Sequence, residues 1–125
     1  MIDVAKGHSI LVVDDEPNVC EFLVDFLTFN GYNALSAISG KEALQILSSK
    51  EIDLMLLDII MPEMNGLEVL VRVKQEHPQT PVIILTGAKD QNIVAESLRL
   101  GAVDLIYKPI DLETLERSIN TNLHH

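Results

Sequence analysis

Apolar and polar residues follow one another along this chain in two alternating rhythms. Ser9 to Val13 (S-I-L-V-V) is a short apolar run without alternation, the pattern of a strand covered on both faces. Pro17 opens a helical stretch in which Val19, Phe22, Leu23, Phe26 and Leu27 recur at the spacing of one buried helix face. Asn30-Gly31 closes it, with Gly31 as a left-handed cap. Tyr32 to Ala37 reads as a second strand. Ser39 and Glu42 then form a capping box for a second helix that buries Ala43, Leu44 and Leu47. A third strand, Ile52 to Leu57, stops at Asp58. After Asn65-Gly66, the residues Leu67, Leu70, Val71 and Lys74 mark a third helix, and Pro78 and Pro81 bracket its exit. Pro81 to Leu85 is a fourth strand ending at Thr86. Asp90 caps a fourth helix that runs to Leu100 and ends at Gly101. Val103 to Tyr107 is a fifth strand ending at Lys108-Pro109, and Asp111 caps a fifth helix carrying Leu112, Leu115, Ile119 and Leu123.

Strict β–α alternation decides the fold class. Strands separated by helices of this length run parallel, because a parallel pair needs a crossover. Right-handed crossovers wrap the helices onto both faces of one sheet. The expectation is an α/β domain over residues 9–123, doubly wound, with no internal repeat or linker. Residues 1–8 read as an N-terminal extension. His124 and His125 read as a purification-tag remnant and are given no role.

Composition narrows the function. The 125 residues, 47% hydrophobic and 22% charged, fit one domain and exclude two-domain, disordered and collagen-like readings. A single cysteine, Cys20, excludes an internal disulfide and a thiolate metal cage. It reads as a small buried or half-buried residue of the first helix and not as a nucleophile. A formal net charge of −10 argues against nucleic-acid or membrane binding by this chain alone. No apolar run approaches a membrane span, and the first residues lack the apolar stretch of a signal peptide. The expected location is the cytoplasm.

Ligands of open parallel sheets bind at the carboxyl ends of the strands. Here those ends are Asp14-Asp15-Glu16, Asp58, Thr86 and Lys108; the second strand ends without charge in Ser36-Ala37-Ile38. Singly, each has a plain structural reading as a cap, a turn or an exposed loop residue. Sharing one edge, they define a candidate site. Asp25, Asp53 and Asp104 read as background acids, scattered with no shared end, and Met61 and Met64 as core or loop packing. Two carboxylates ~5 Å apart repel by roughly 3 kcal/mol at an effective dielectric of ~20. A cluster of Asp14, Asp15 and Asp58 therefore needs either protonation or a divalent cation. Hard oxygen donors without Cys or His suit Mg²⁺. A lysine and a hydroxyl beside it would complete a receptor for a tetrahedral dianion such as a phosphoryl group.

The succession V-V-D-D-E, L-L-D-I-I-M-P-E-M-N-G-L-E-V-L, I-I-L-T-G-A and Y-K-P resembles the receiver domain of two-component response regulators, over roughly Ser9 to Leu123. The resemblance implies a flavodoxin-like (CheY-like) five-stranded sheet in the order 2-1-3-4-5. It implies that Asp58 accepts a phosphoryl group from a phosphohistidine of a sensor histidine kinase or phosphotransfer protein. Asp15 would ligate Mg²⁺ directly, Asp14 through water, and Ile60 through its main-chain carbonyl, with Asp58 the remaining ligand. Lys108 would pair with the phosphoryl oxygens, Thr86 would turn its hydroxyl toward them, and Pro109 would follow a cis peptide bond. The surface of the fourth helix, fifth strand and fifth helix would then engage an output domain or a second copy.

Three positions depart from the pattern. Leu105 stands where many receivers carry Tyr or Phe, and Tyr107, immediately before Lys108, is expected to point to the face opposite that lysine. Ile60 and Ala88 stand where some receivers carry polar groups that steer a hydrolytic water, which leads to the expectation of a long-lived aspartyl phosphate. Ile110 replaces the common Phe after Lys-Pro, a packing change.

Three rival functions would each need residues that differ from these. An aspartate-nucleophile phosphohydrolase would carry a second Asp where Ile60 stands, and a substrate-selecting cap. A flavodoxin-like electron carrier would need a hydroxyl- and glycine-rich loop where the chain has Asp-Asp-Glu-Pro. A receiver-like docking module without phosphorylation would have no use for the intact acidic set.

Overall fold

All five apolar runs are parallel strands of one sheet, in the order β2-β1-β3-β4-β5. The computed structural model describes residues 7–61, 65–87 and 91–123. The elements are β1 (Ser9–Val13), α1 (Pro17–Phe29), β2 (Asn33–Ala37), α2 (Gly40–Ser49), β3 (Leu54–Asp58), α3 (Gly66–Glu76), β4 (Val82–Thr86), α4 (Gln91–Arg99), β5 (Asp104–Tyr107) and α5 (Leu112–Leu123). Both the alternation and the strand order match the expectation.

Side-chain alternation along the buried strands sorts the core into two halves. Leu11, Val13, Met55, Leu57, Val82 and Ile84 face a layer that includes Ala43 and Leu47 of α2 and Val69, Leu70 and Val73 of α3. Ile10, Val12, Leu54, Leu56, Ile83 and Leu85 face Cys20, Leu23 and Leu27 of α1 and Leu115 and Ile119 of α5. Strands covered on both sides have no use for a polar alternate residue, which is why they read as unbroken apolar runs.

Helix ends follow local chemistry. Pro17 occupies the first turn of α1, where a missing N–H costs nothing. Ser39 accepts from the Glu42 N–H at the head of α2, and Asn65 from the Leu67 N–H at the head of α3. Gly31 and Gly101 take φ of 93° and 111° just beyond α1 and α4, a left-handed turn that a side chain would strain. Asp111 accepts from Thr114 Oγ1 at 2.7 Å at the head of α5.

Several inward faces differ from the sequence reading. In α1 the buried line is Cys20, Leu23 and Leu27; Val19 and Phe26 are partly buried, and Phe22 is 54% exposed. Phe22 precedes Leu23 by one residue, a rotation of about 100° that takes it off the contact line. In α3 the buried line is Gly66, Val69, Leu70 and Val73, with Leu67, Val71 and Lys74 to one side. Asp53 and Asp104 are not scattered, because both lie at the amino edge of the sheet, at the starts of β3 and β5. Each has a structural partner. Asp53 accepts from the Ser9 N–H at 2.7 Å, and Asp104 from the Ser118 hydroxyl. Met61 packs in the core. The Asp90 cap, Met64, Ala88, residues 1–6 and His124-His125 lie outside the described residues.

Stability should follow this division. Leu56→Ala, at a side chain with no exposure, is expected to cost about 2–5 kcal/mol in urea unfolding. Phe29→Ser, at a side chain 90% exposed, should stay within about 0.5 kcal/mol of wild type in the same measurement.

Candidate functional site

Strand register brings distant acids together. Val13 of β1 pairs with Leu57 of β3, so the next residues, Asp14 and Asp58, leave the sheet side by side. Asp58 pairs with Leu85, and Thr86 with Tyr107, which places Lys108 at the same carboxyl edge. The ladder continues one step past the strands: Asp14 N–H donates to Ala37 O at 3.1 Å, and Lys108 N–H to Thr86 O at 2.8 Å. Because β1 lies between β2 and β3, chain direction across the sheet reverses there, which opens a crevice at this edge.

Lys108 joins the two carboxylates. Its Nζ donates to Asp14 Oδ2 at 2.8 Å and to Asp58 Oδ2 at 3.4 Å. The second oxygens are held by the main chain: Asp14 Oδ1 accepts from the Glu16 N–H at 2.9 Å, and Asp58 Oδ1 from the Ile60 N–H at 3.1 Å. Asp14 is fully buried and Asp58 4% exposed. These are charges in a poor solvent, tolerable only because each has an ionic and a hydrogen-bonded partner. Beneath them, the Cys20 thiol donates to Asp14 O at 3.3 Å. Burial pushes that thiol up from its ordinary value, and the neighbouring Asp14 charge adds to the effect, which suits an inert core residue.

Asp14 also belongs to a second group. Carboxylate oxygens of Asp14, Asp15 and Glu16 lie within 4.8 Å of one another, with Asp15 half-buried and Glu16 exposed. Hard, anionic oxygens at this spacing are a donor set for a small divalent cation. The sequence reading places Glu16 at this edge but assigns it no ligand role. Its place in the run Asp14-Asp15-Glu16 was the available signal, but as the residue preceding α1 it reads equally as a helix-start acid. Thr86 is buried at the end of β4. Ile60 carries a side chain 53% exposed beside the site. The Lys108-Pro109 peptide is cis, as expected, and Ile110 is partly buried against the α1/α5 half of the core.

Leu105 and Tyr107 are two residues apart and share a face of β5, and Ile106 between them turns to the other. Leu105 packs against the α2/α3 half of the core, whereas Tyr107, at the strand's end, is 49% exposed. What separates them is position along the strand, not its face.

Among the described residues, this edge of a doubly wound sheet gathers the Asp14 and Asp58 carboxylates and the Lys108 ammonium, with Thr86 buried at the end of β4. Residues 10–120 match the model of the response regulator receiver domain, and the chain belongs to that family, whose members serve two-component systems. It is 42% identical over 120 residues to a Vibrio cholerae protein named "Probable cyclic di-GMP phosphodiesterase", covering 94% of this chain and 27% of that one. It is 37% identical over 117 residues to the transcriptional regulatory protein ZraR of Escherichia coli K12, covering 94% and 26%. The chain thus spans about a quarter of the length of these curated relatives. Among solved structures, the signal receiver domain of an HD domain-containing protein from Pseudomonas fluorescens Pf-5 superposes with a TM-score of 0.91 at 30% identity, covering 96% of this chain and 97% of that one. A response regulator receiver protein from Pseudomonas putida gives 0.89 at 30%, covering 92% and 97%. Among the described residues, no helix is long and apolar enough to cross a membrane.

Electrostatics yield a test. Burial raises the Asp58 carboxyl above its ordinary value; the Ile60 N–H and Lys108 oppose the rise, and the Asp14 charge adds to it. Burial also works against the Lys108 ammonium, but its hydrogen bond to Asp14 and the two carboxylate charges outweigh it, so Lys108 stands above its ordinary value. The folded chain therefore binds the Asp58 proton more tightly than the unfolded chain does. Stability falls as pH rises from about 4 through the folded value, and the penalty persists above it. Without divalent cations, Asp58→Asn should melt above wild type at pH 7, with the gap closing toward pH ~4. Melting curves across that range check it; a pH-independent gap contradicts the assignment.

Proposed function

We propose that this chain is a phosphoacceptor in two-component signalling, with Asp58 as the residue that carries the phosphoryl group. The observation that carries this reading is the bridge of Lys108 to Asp14 and Asp58 at the carboxyl edge. A carboxylate oxygen of Asp58 attacks the phosphorus of a phosphohistidine. The P–N bond breaks, its electron pair stays with the imidazole, and an acyl phosphate remains on Asp58. Such a transfer asks mainly for alignment and charge neutralisation. Lys108 supplies one fixed positive charge, and its second partner, Asp14, keeps the ammonium aimed at the pocket while Asp58 changes.

Among the described residues, the Lys108 ammonium does not balance the acids gathered here. Carboxylate oxygens of Asp14, Asp15 and Glu16 lie close enough to share a small divalent cation. On this reading Asp15 and Asp58 would bind Mg²⁺ through their carboxylates, Ile60 through its main-chain carbonyl, and Asp14 through water. When bound, the ion would neutralise the charge shared by Asp58 and the incoming phosphoryl group. Thr86, buried at the end of β4, would turn its hydroxyl to the new phosphoryl oxygens. The movement would be felt on α4, β5 and α5, where Leu98 and Tyr107 are 47% and 49% exposed. That surface would engage an output domain or a second copy, with a sensor kinase or phosphotransfer protein as donor and the cytoplasm as the place of action. The roles of the longer relatives suggest that an output activity resides in another domain, and this chain itself is read as a switch and not as an enzyme.

The test uses acetyl phosphate with and without Mg²⁺. Wild type should gain the mass of one phosphoryl group only with Mg²⁺, and Asp58→Asn should gain none; labelling of the Asn variant overturns the assignment. Because neither Ile60 nor Ala88 offers a hydrogen-bonding side chain to a hydrolytic water, the aspartyl phosphate should persist for minutes to hours. A half-life of seconds for the Mg²⁺-bound phosphoprotein contradicts this.

A further inference from the structure

Gly66 opens α3 and is buried, although no left-handed turn requires a glycine there. Its surroundings explain the residue instead. A methyl group built on Gly66 would sit 2.5 Å from both Cα and O of Ile59, and 2.8 Å from the carbonyl oxygen of Asp58. These are main-chain atoms and cannot swing aside as the end of a flexible side chain can. The start of α3 is pressed onto the backbone that carries Asp58.

That contact grips a particular peptide. The Gly66 N–H donates to Ile59 O at 3.1 Å. The N–H on the other side of the same Ile59–Ile60 peptide unit, that of Ile60, donates to Asp58 Oδ1 at 3.1 Å. One rigid plane is thus held at its carbonyl by Gly66 and delivers its N–H to the carboxylate. The other Asp58 oxygen faces Lys108. Tilting the plane would withdraw the N–H and free the carboxylate to rotate away from Lys108. The adjoining carbonyl, that of Ile60, belongs to the proposed cation site and would move with it.

We infer that Gly66 is a positioning residue for phosphoryl transfer: its missing side chain lets α3 clamp the Ile59–Ile60 peptide, and that peptide orients the Asp58 carboxylate. The inference rests on the proposed role of Asp58 as phosphoacceptor. The claim concerns the rate of transfer per folded molecule, which a purely structural glycine would leave alone.

The experiment compares wild type, Gly66→Ala and Gly101→Ala, with phosphoramidate as donor and saturating Mg²⁺, at a temperature where each is folded. Gly101 is the control because its φ of 111° makes any substitution strained, while among the described residues the added methyl meets only the Lys74 side chain. Mass spectrometry over time gives the initial rate, and circular dichroism gives the folded fraction. Gly66→Ala should show an initial rate about 10- to 100-fold lower at an unchanged folded fraction, the cost of a misplaced reacting group. Gly101→Ala should lose melting temperature yet keep the wild-type rate. A wild-type rate in Gly66→Ala overturns the inference while leaving the role of Asp58 intact. Failure of wild type and Gly101→Ala to be labelled overturns that role and the inference with it. If Gly66→Ala does not fold, wild-type NMR decides. A through-hydrogen-bond coupling between the Gly66 nitrogen and the Ile59 carbonyl carbon, with an Ile60 amide proton resonance that moves in Asp58→Ala, sustains the clamp. Absence of either overturns it.

Discussion

An ammonium held between two buried carboxylates organises the working edge of this molecule. Lys108 lies 2.8 Å from Asp14 and 3.4 Å from Asp58, and neither acid has water enough to stabilise its charge alone. Burying an isolated carboxylate is prohibitive, and protonation is the ordinary escape. Here the sheet supplies another. The ends of β1 and β3 are adjacent by register, and β5 delivers its lysine over the same crevice. Main-chain N–H groups then occupy the oxygens that Lys108 leaves. Among the described residues, the carboxylates at this edge outnumber the ammonium that joins two of them.

Placement of that lysine depends on packing far from it. β3 and β4 are buried along their whole length, and both faces of the sheet are sealed by helices. A rigid central sheet converts strand register into side-chain geometry with little slack. On the proposed reading, the described residues of the carboxyl edge carry chemistry. The opposite edge does the reverse, since Asp53 and Asp104 there are tied to Ser9 and Ser118 and serve the scaffold. Acids of one type thus have two unrelated uses, decided by which end of a strand they occupy.

Much of the site was legible in the residues. Asp14, Asp58, Thr86 and Lys108 stand immediately after, or at the close of, apolar runs, and parallel strands put all such ends on one edge. Less was legible about faces. Five apolar positions in α1 suggested a broad contact, yet the helix meets the sheet along a narrower line and leaves Phe22 in solvent. Periodicity locates a helix but fixes its rotation only to about one position, because neighbouring apolar residues can exchange contact with exposure. Glu16 and Gly66 escaped for another reason. An acid before a helix and a glycine after an asparagine are ordinary turn residues, and only coordinates reveal which backbone or carboxylate lies against them.

The order of apolar runs and helical stretches by itself determined that the chain is a doubly wound parallel sheet and which strand ends meet at its working edge. It did so because crossover connections leave few topologies open and side-chain period is a local property. The tertiary structure alone decided distances: which carboxylate the lysine favours, which peptide holds Asp58, and which aromatic ring reaches solvent. Those depend on contacts between residues as far apart as Asp14 and Lys108, and no local pattern encodes the final fraction of an ångström between them.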